Sequence, residues 1–428
     1  MPNIRLHHTY PVDVAHIIGQ DTSPQAGVGH PNQCEEDNMF KIQTLNKIAS
    51  IGLDELPRDS YEIASEILNP DGILVRSADM QALDLPASLK AIARAGAGVN
   101  NIPVDKCSKR GIVVFNTPGA NANGVKELVL ASMLLASRRI IPGVEWTRTL
   151  KGKGKEVGPL VEKGKKDFIG PEIKGKKLGV IGLGAIGVMV ANDALALGMD
   201  VVGYDPYISV EAAWGLARTV KRATSLDQLL SQSDYITLHV PLVDATKGML
   251  GRNQFAIMKK GVRIVNLARG ALVKTADIKE ALAAGTVSVY VSDFPDDELL
   301  DEKNVITIPH LGASTPEAED NCAVMAARQL REFLASGNVK NSVNFPNCEM
   351  PNMGRPRIVV GNANVPNMVG QITTVLAADK INIIDMMNKS AGELAYNIIN
   401  IDGSVGEPII DKIRKIDGVI MARLIPKA

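Results

Sequence analysis

From residue 40 to about 119, apolar runs at 72–75, 89–93 and 112–115 alternate with polar stretches of helical length, the signature of an α/β layer. Residues 126–139 then read as one long helix whose apolar positions leave little polar face, which predicts burial between domains or subunits. A Lys- and Gly-rich stretch at 151–166 follows, and it predicts a solvated hairpin or loop. Between 177 and 309 the apolar runs at 178–181, 201–204, 235–240, 263–267, 287–292 and 305–308 are separated by helix-length segments. That spacing predicts a doubly wound parallel sheet. Residues 317–336 form a further helix that crosses back, and 357–428 read strand, helix, strand, strand, helix, strand, the ferredoxin-like order.

The pattern therefore predicts an α/β protein with two Rossmann-like parallel-sheet domains. Residues 39–122 and 317–343 form one, and 123–316 form the other, inserted into the first. A Pro-, Asn- and Met-rich linker at 344–356 leads to a ferredoxin-like domain at 357–428. Residues 1–38 lack a sustained apolar period and are read as a poorly ordered extension, with ordered-looking sequence starting at Met39.

Composition narrows the classes. At 428 residues the chain has room for about three domains of ordinary size. Lys plus Arg balances Asp plus Glu at 47 each, so no net field draws it to nucleic acid or to an acidic membrane. Cys34, Cys107, Cys322 and Cys348 form no C-x-x-C pair, which fits a reducing cytoplasm and suggests neither a disulfide framework nor zinc. No apolar run approaches a membrane span, and no basic start precedes an apolar run. Of the six histidines, His7, His8, His16 and His30 fall in the extension at spacings that match no compact metal-ligand set, so no metal is expected.

The strongest local signal is Gly182-Leu183-Gly184-Ala185-Ile186-Gly187, running from a predicted strand into a helix. Gly182 permits the tight turn, Gly184 lets backbone approach a pyrophosphate, and Gly187 lets helix and strand pack closely. About 20 residues on, the next strand ends in Asp205, the expected acceptor for the adenosine ribose. A carboxylate there repels the extra phosphate of NADP by roughly 4 kcal/mol at about 4 Å and an effective dielectric near 20, so the cofactor is expected to be NAD.

Two histidines remain as proton carriers, His239 and His310, each near the carboxyl end of a predicted strand, where open sheets place ligands. Spacing alone favours His310 only modestly. Arg269, in Asn266-Leu267-Ala268-Arg269-Gly270, follows another strand and can present a two-pronged donor to a carboxylate. Arg76, ending the strand at 72–75, could hold a second anion.

Together with Arg94-Ala95-Gly96-Ala97-Gly98-Val99-Asn100-Asn101, Asn116-Thr117-Pro118 and Pro309-His310-Leu311-Gly312-Ala313-Ser314-Thr315, these motifs resemble the D-isomer-specific 2-hydroxy acid dehydrogenases from about Met39 to the end of the chain. The resemblance implies an Arg, Glu and His at the centre, here Arg269, Glu298 and His310. The Glu is the departure: Asp293-Phe294-Pro295-Asp296-Asp297-Glu298 keeps one register with Glu298 and another with Asp297, and the Asp-x4-Glu spacing favours Glu298. His310 would act as general base, with the carboxylate orienting its ring. Cofactor contacts are implied at Gly182, Gly184, Ala185, Ile186, Gly187, Asp205, His239, Val240, Pro241, Ala268, Asp293 and Gly312. Arg76, Ser77 and Asn121 resemble the family's site for 3-phosphoglycerate, whose oxidation opens L-serine biosynthesis.

Residues 357–428 are similar to an ACT domain, a small amino-acid sensor. That likeness implies L-serine as an effector at Asn364 and Asn382 of a paired interface, hence a homo-oligomer, dimer or tetramer. The competing readings are a glyoxylate or hydroxypyruvate reductase, which needs no phosphate site, and a non-catalytic NAD-sensing scaffold, which needs neither Arg269 nor His310.

Overall fold

The computed structural model describes residues 39–351, 353–403 and 405–427; the expected extension at 1–38, with its four histidines, lies outside them. Five short strands, β1 (Phe40–Leu45), β2 (Tyr61–Ala64), β3 (Gly72–Val75), β4 (Ala91–Arg94) and β5 (Val113–Phe115), pair in parallel in the order β2-β1-β3-β4-β5. Both faces of this sheet are covered, so β3 and β5 are wholly buried and read as continuous apolar runs.

The second sheet holds β6 (Lys177–Ile181), β7 (Asp200–Tyr204), β8 (Lys221–Arg222), β9 (Tyr235–Leu238), β10 (Val262–Asn266), β11 (Val287–Ser292) and β12 (Val305–Thr307). Its order, β12-β11-β10-β9-β6-β7-β8, reverses direction at β6, and all its pairs are parallel. Strand order of this kind opens a crevice beyond the carboxyl ends of the central strands. The site is built there.

The helix Ala122–Arg138 enters this second unit; Val125, Val129, Met133 and Ala136 pack on its sheet, while Leu134 on the opposite side is exposed. The stretch 151–166, expected as a loop or hairpin, is largely helical: Gly154–Glu156, Val157–Gly164 and Lys165–Phe168 form successive turns. Trp146 anchors them against Phe168, ring centroids 5.3 Å apart, a long-range contact that local charge pattern does not encode.

The helix Pro316–Ser336 returns to the first sheet. Thr315 caps its start by accepting from the Ala318 N–H, with Pro316 in the first turn, and Gly337 ends it in the left-handed conformation. Its small residues permit close approach: a Cβ on Gly52 would lie 2.6 Å from Ala323. Cys322, Ala326, Leu330 and Phe333 join Ile42, Leu74 and Phe115 in one core.

The last sheet contains β13 (Arg357–Ala363), β14 (Ile383–Ala391), β15 (Leu394–Ile401) and β16 (Val419–Ile425), antiparallel in the order β14-β15-β13-β16. Alternation divides its faces. Ile358, Val360, Ile399 and Ile401 face the helices Met368–Ala378 and Glu407–Arg414, whereas Val359, Tyr396 and Ile398 join the core around the return helix. On that second face the buried Arg357 donates to Asn400 Oδ1 and to the carbonyls of Ser336, Met350 and Pro351. Residues 344–356, linker-like in composition, are packed: Phe345, Cys348 and Met350 are buried, and Asn344 bonds the Val114 and Ile112 backbone. No helix among the described residues is long and apolar enough to cross a membrane.

Candidate active site

The glycine turn after β6 is shaped by what a methyl group would strike. Gly182 has φ +89°, and a Cβ there would lie 2.6 Å from the His239 carbonyl oxygen and 2.9 Å from Val240 Cγ1. At Gly187 the clash would be 2.0 Å, with the Gly182 carbonyl oxygen. Around Gly184, by contrast, nothing approaches within 4 Å, so that backbone is open at the start of the helix Ala185–Ala196. Asp205, just beyond β7, is pinned over the turn: its Oδ2 accepts from Leu183 N at 2.8 Å and its Oδ1 from Tyr207 N at 2.8 Å. A helix N-terminus, an open glycine and a fixed carboxylate at the far edge fit a dinucleotide.

His239 closes the turn beyond β9. Its ring is partly enclosed and bonds Thr237 Oγ1 at 3.0 Å, and burial pushes its pKa down to about 3. Its ring is therefore neutral at ordinary pH, a poor proton acceptor beside the glycine turn. Pro241 follows, its carbonyl held by Thr246 Oγ1 at 2.6 Å.

At the other end, beyond β11, Asp293 is buried. Its Oδ2 accepts from Gly312 N at 3.1 Å, while its Oδ1 is enclosed with no partner among the described residues. Burial raises the pKa of this carboxyl, and the Gly312 N–H, His310 and Arg269 pull the other way. An enclosed, unmatched acceptor needs a donor. A nicotinamide carboxamide supplies one, and with the open glycine turn this is the structural fit for NAD.

Arg269 and His310 meet at Phe294. The His310 ring lies 4.7 Å from the Phe294 ring centroid to centroid, and the Arg269 guanidinium carbon is 5.9 Å from that centroid. Both side chains are exposed to the crevice side of Asp293, close enough to act on its charge. His310 has φ +48°, a left-handed conformation that costs a non-glycine residue energy and is held by N–H bonds to the Asp293 and Ile308 carbonyls. Asn266, fully buried, fixes the Arg269 turn by accepting from Ala268 N at 3.2 Å and donating to the Arg269 carbonyl at 2.9 Å.

The structure does not bring Glu298 to His310. The short turn Asp297–Leu299 buries Leu299 and leaves Glu298 pointing outward, 64% exposed and 3.6 Å from Lys279 Nζ. Asp297, on the same turn, is also exposed. Among the described residues neither carboxylate bonds the imidazole.

The substrate side gathers long cations at strand ends. Arg76, after β3, pairs with Glu319 on the return helix at 2.5 Å. Arg94, ending β4, donates from Nε to the Arg76 carbonyl at 3.0 Å and has no ion pair among the described residues. Burial lowers the pKa of Arg94, with the Cys322 thiol raising it and the Arg76 charge lowering it. The charge of Lys47, after β1, lowers the Glu319 pKa in the same sense as Arg76 but by less. Ser77 N donates to Asn46 Oδ1 at 3.2 Å, and Asn121 caps the helix Ala122–Arg138 in position only, its side chain making no capping bond.

Residues 130–312 match the family described as D-isomer specific 2-hydroxyacid dehydrogenase, NAD binding domain. The chain contains the NAD-binding domain of that family. It is 37% identical over 343 residues to D-3-phosphoglycerate dehydrogenase of Methanocaldococcus jannaschii, covering 78% of this chain and 62% of the relative. It is 39% identical over 299 residues to the Archaeoglobus fulgidus protein of the same name, covering 67% and 54%. The chain thus spans only part of the length of these relatives. Among solved structures, NAD+-bound 3-phosphoglycerate dehydrogenase of Entamoeba histolytica superposes with a TM-score of 0.56 at 27% identity, covering 72% of this chain and 99% of that one. The domain match and this NAD-bound neighbour agree with the cradle: the cofactor is NAD.

Lys47, Arg94, Phe294 and Glu319 were not assigned from sequence. Arg94 stood inside a motif that marks the 2-hydroxyacid dehydrogenases, and Lys47 and Arg94 share a signal with Arg76, a cation closing a parallel strand. Phe294 and Glu319 gave none, because a ring platform and an ion pair between residues far apart in sequence appear only when distant segments meet. In the C-terminal domain, Asn364 Nδ2 donates to the Gly392 carbonyl at 3.0 Å and Asn382 is exposed at the foot of β14, so within one chain they do not share a bond.

Proposed function

We propose that this protein oxidises 3-phospho-D-glycerate to 3-phosphohydroxypyruvate with NAD, the opening reaction of L-serine biosynthesis. The observation that carries the reading is the convergence of Arg269 and His310 on the ring of Phe294, the residue after Asp293 with its unmatched Oδ1. Bound NAD supplies the hydride acceptor. Gly182, Gly184, Ala185, Ile186 and Gly187 hold its phosphates, Asp205 its ribose, and Asp293 with Gly312, Ala268, His239, Val240 and Pro241 its nicotinamide end. Arg269 grips the substrate carboxylate with two donors and polarises the adjacent carbon–oxygen bond. His310 takes the proton from the substrate hydroxyl as general base. Arg76, Arg94, Lys47, Ser77 and Asn121 receive the phosphate.

In this reading a carboxylate of the Asp297–Leu299 turn swings in to support the protonated imidazole, Glu298 by leaving Lys279. Comparing the pH dependence of kcat/KM in Glu298→Gln and Asp297→Asn assigns it. L-serine, bound at Asn364 and Asn382 between paired C-terminal domains of a homo-oligomer, slows turnover. That part is refuted by an unchanged rate across millimolar serine.

The decisive assay mixes the protein with NAD and 3-phosphoglycerate and follows NADH absorbance. NADH must appear with phosphoglycerate. Absence of that signal, with rapid NADH consumption on adding glyoxylate, replaces the proposal with a reductase.

A further inference from the structure

The cation cluster at the ends of β1, β3 and β4 is opposed by one carboxylate. Glu319 reaches across from the first turn of the return helix and takes an Arg76 nitrogen at 2.5 Å, with Lys47 also acting on it. Arg94, beside Arg76, has no such partner among the described residues. Arg76 and Glu319 retain 41% and 45% of their side-chain exposure, so the pair is accessible from solvent. An ion pair this exposed is weak, and an incoming dianion meeting the cation cluster can displace it.

We infer that Glu319 is a specificity-determining residue of the phosphate subsite: it occupies Arg76 in the free protein and yields it only to a ligand that brings a phosphate dianion. The inference rests on reading this cleft as a phosphoglycerate site. Its chemical content is a threshold. A non-phosphorylated 2-hydroxy acid bound through Arg269 has nothing to offer Arg76, so the Arg76–Glu319 pair persists beside it. A phosphorylated acid exchanges one weak pair for bonds to Arg76, Arg94 and Lys47. The Arg76 bond holds the Glu319 carboxyl below its usual pKa, so the competitor stays ionised at neutral pH. Helix stabilisation is the plain alternative role, since an acidic residue in a first turn favours the helix dipole. That role has no preference among ligands.

The test uses the full chain and the variants Glu319→Gln and Glu319→Ala, titrated calorimetrically without NAD against inorganic phosphate, 3-phosphoglycerate and D-glycerate. Both variants should bind the two phosphate ligands roughly fivefold more tightly, the factor that loss of one exposed pair allows, with D-glycerate unchanged. KM for phosphoglycerate should fall in step while kcat holds. Adding Arg76→Met to either variant should abolish the gain. Unchanged phosphate affinity in both variants overturns the inference, as does an equal gain for D-glycerate. A gain confined to the Gln variant does so too, since an amide donor rather than a lost charge then explains it. If the native protein neither binds phosphoglycerate nor reduces NAD with it, the functional reading itself falls. Native activity with insensitive variants removes only the role of Glu319.

Discussion

Two histidines close strands of the same parallel sheet and live in opposite surroundings. His239, after β9, is enclosed beside the glycine turn, bonded to Thr237 and driven to a pKa of about 3. His310, after β12, is exposed, left-handed in its backbone and laid against Phe294 near Arg269. Position in the fold makes both candidates. Environment separates them: a partly enclosed neutral ring can shape a cradle, whereas an exposed ring near a guanidinium can exchange a proton with a bound molecule.

The largest expected effect is the direct contest between them. His310→Asn should lower kcat by about 10²–10⁴-fold, the usual worth of a positioned general base, with the fold intact by circular dichroism. His239→Asn, measured in the same assay, should change kcat by less than tenfold, on the order of a perturbed wall. Comparable losses in the two variants would erase the distinction.

Next comes the cradle itself. Gly187→Ala puts a methyl 2.0 Å from the Gly182 carbonyl oxygen, a contact that only backbone movement relieves. Displacing that turn should weaken NADH binding at least about tenfold, equivalent to about 1.4 kcal/mol, as read by fluorescence titration. Unchanged NADH affinity would mean that the turn is more compliant than its packing implies.

The cradle was readable in sequence because its parts are neighbours. Gly182, Gly184 and Gly187 fall in one turn, and Asp205 ends the next strand, so a strand–turn–helix pattern locates them together. The parallel character of the second sheet and the element order of the C-terminal sheet were likewise visible, because short apolar runs and helix-length gaps repeat in a fixed rhythm, whereas the order of strands within each parallel sheet was not. What stayed hidden was assembled from afar. Glu319 meets Arg76 from the opposite end of a discontinuous domain, and Phe294 becomes the shared platform of Arg269 and His310 only once three loops converge. Composition misled at 344–356, where Asn344, in a stretch that suggests slack chain, instead bonds the Val114 N–H and the Ile112 carbonyl at the edge of the first sheet.

A smaller effect probes the substrate side of the contrast. Arg94→Ala removes a guanidinium that has no carboxylate partner among the described residues, so its loss strands no described anion. KM for 3-phosphoglycerate should rise about tenfold, in the range of one charge-assisted hydrogen bond, while KM for D-glycerate changes little. Equal rises for both substrates would place Arg94 with the carboxylate instead.

The smallest effect concerns stability and returns to His239. Its pKa is 6.5 unperturbed and about 3 in the folded protein, so between those values the unfolded chain binds a proton that the native chain refuses. Stability from this group is therefore complete above pH 6.5 and declines as pH falls toward 3. The slope cannot exceed about 1.4 kcal/mol per pH unit for a single site. Urea unfolding at pH 7, 6 and 5 should show the native protein losing stability on acidification faster than His239→Asn, by about 1 kcal/mol between pH 6 and 5. Parallel limbs for native protein and His239→Asn would show that the ring accepts a proton in place, and with it the contrast between an enclosed wall and an exchanging base would lose its physical basis.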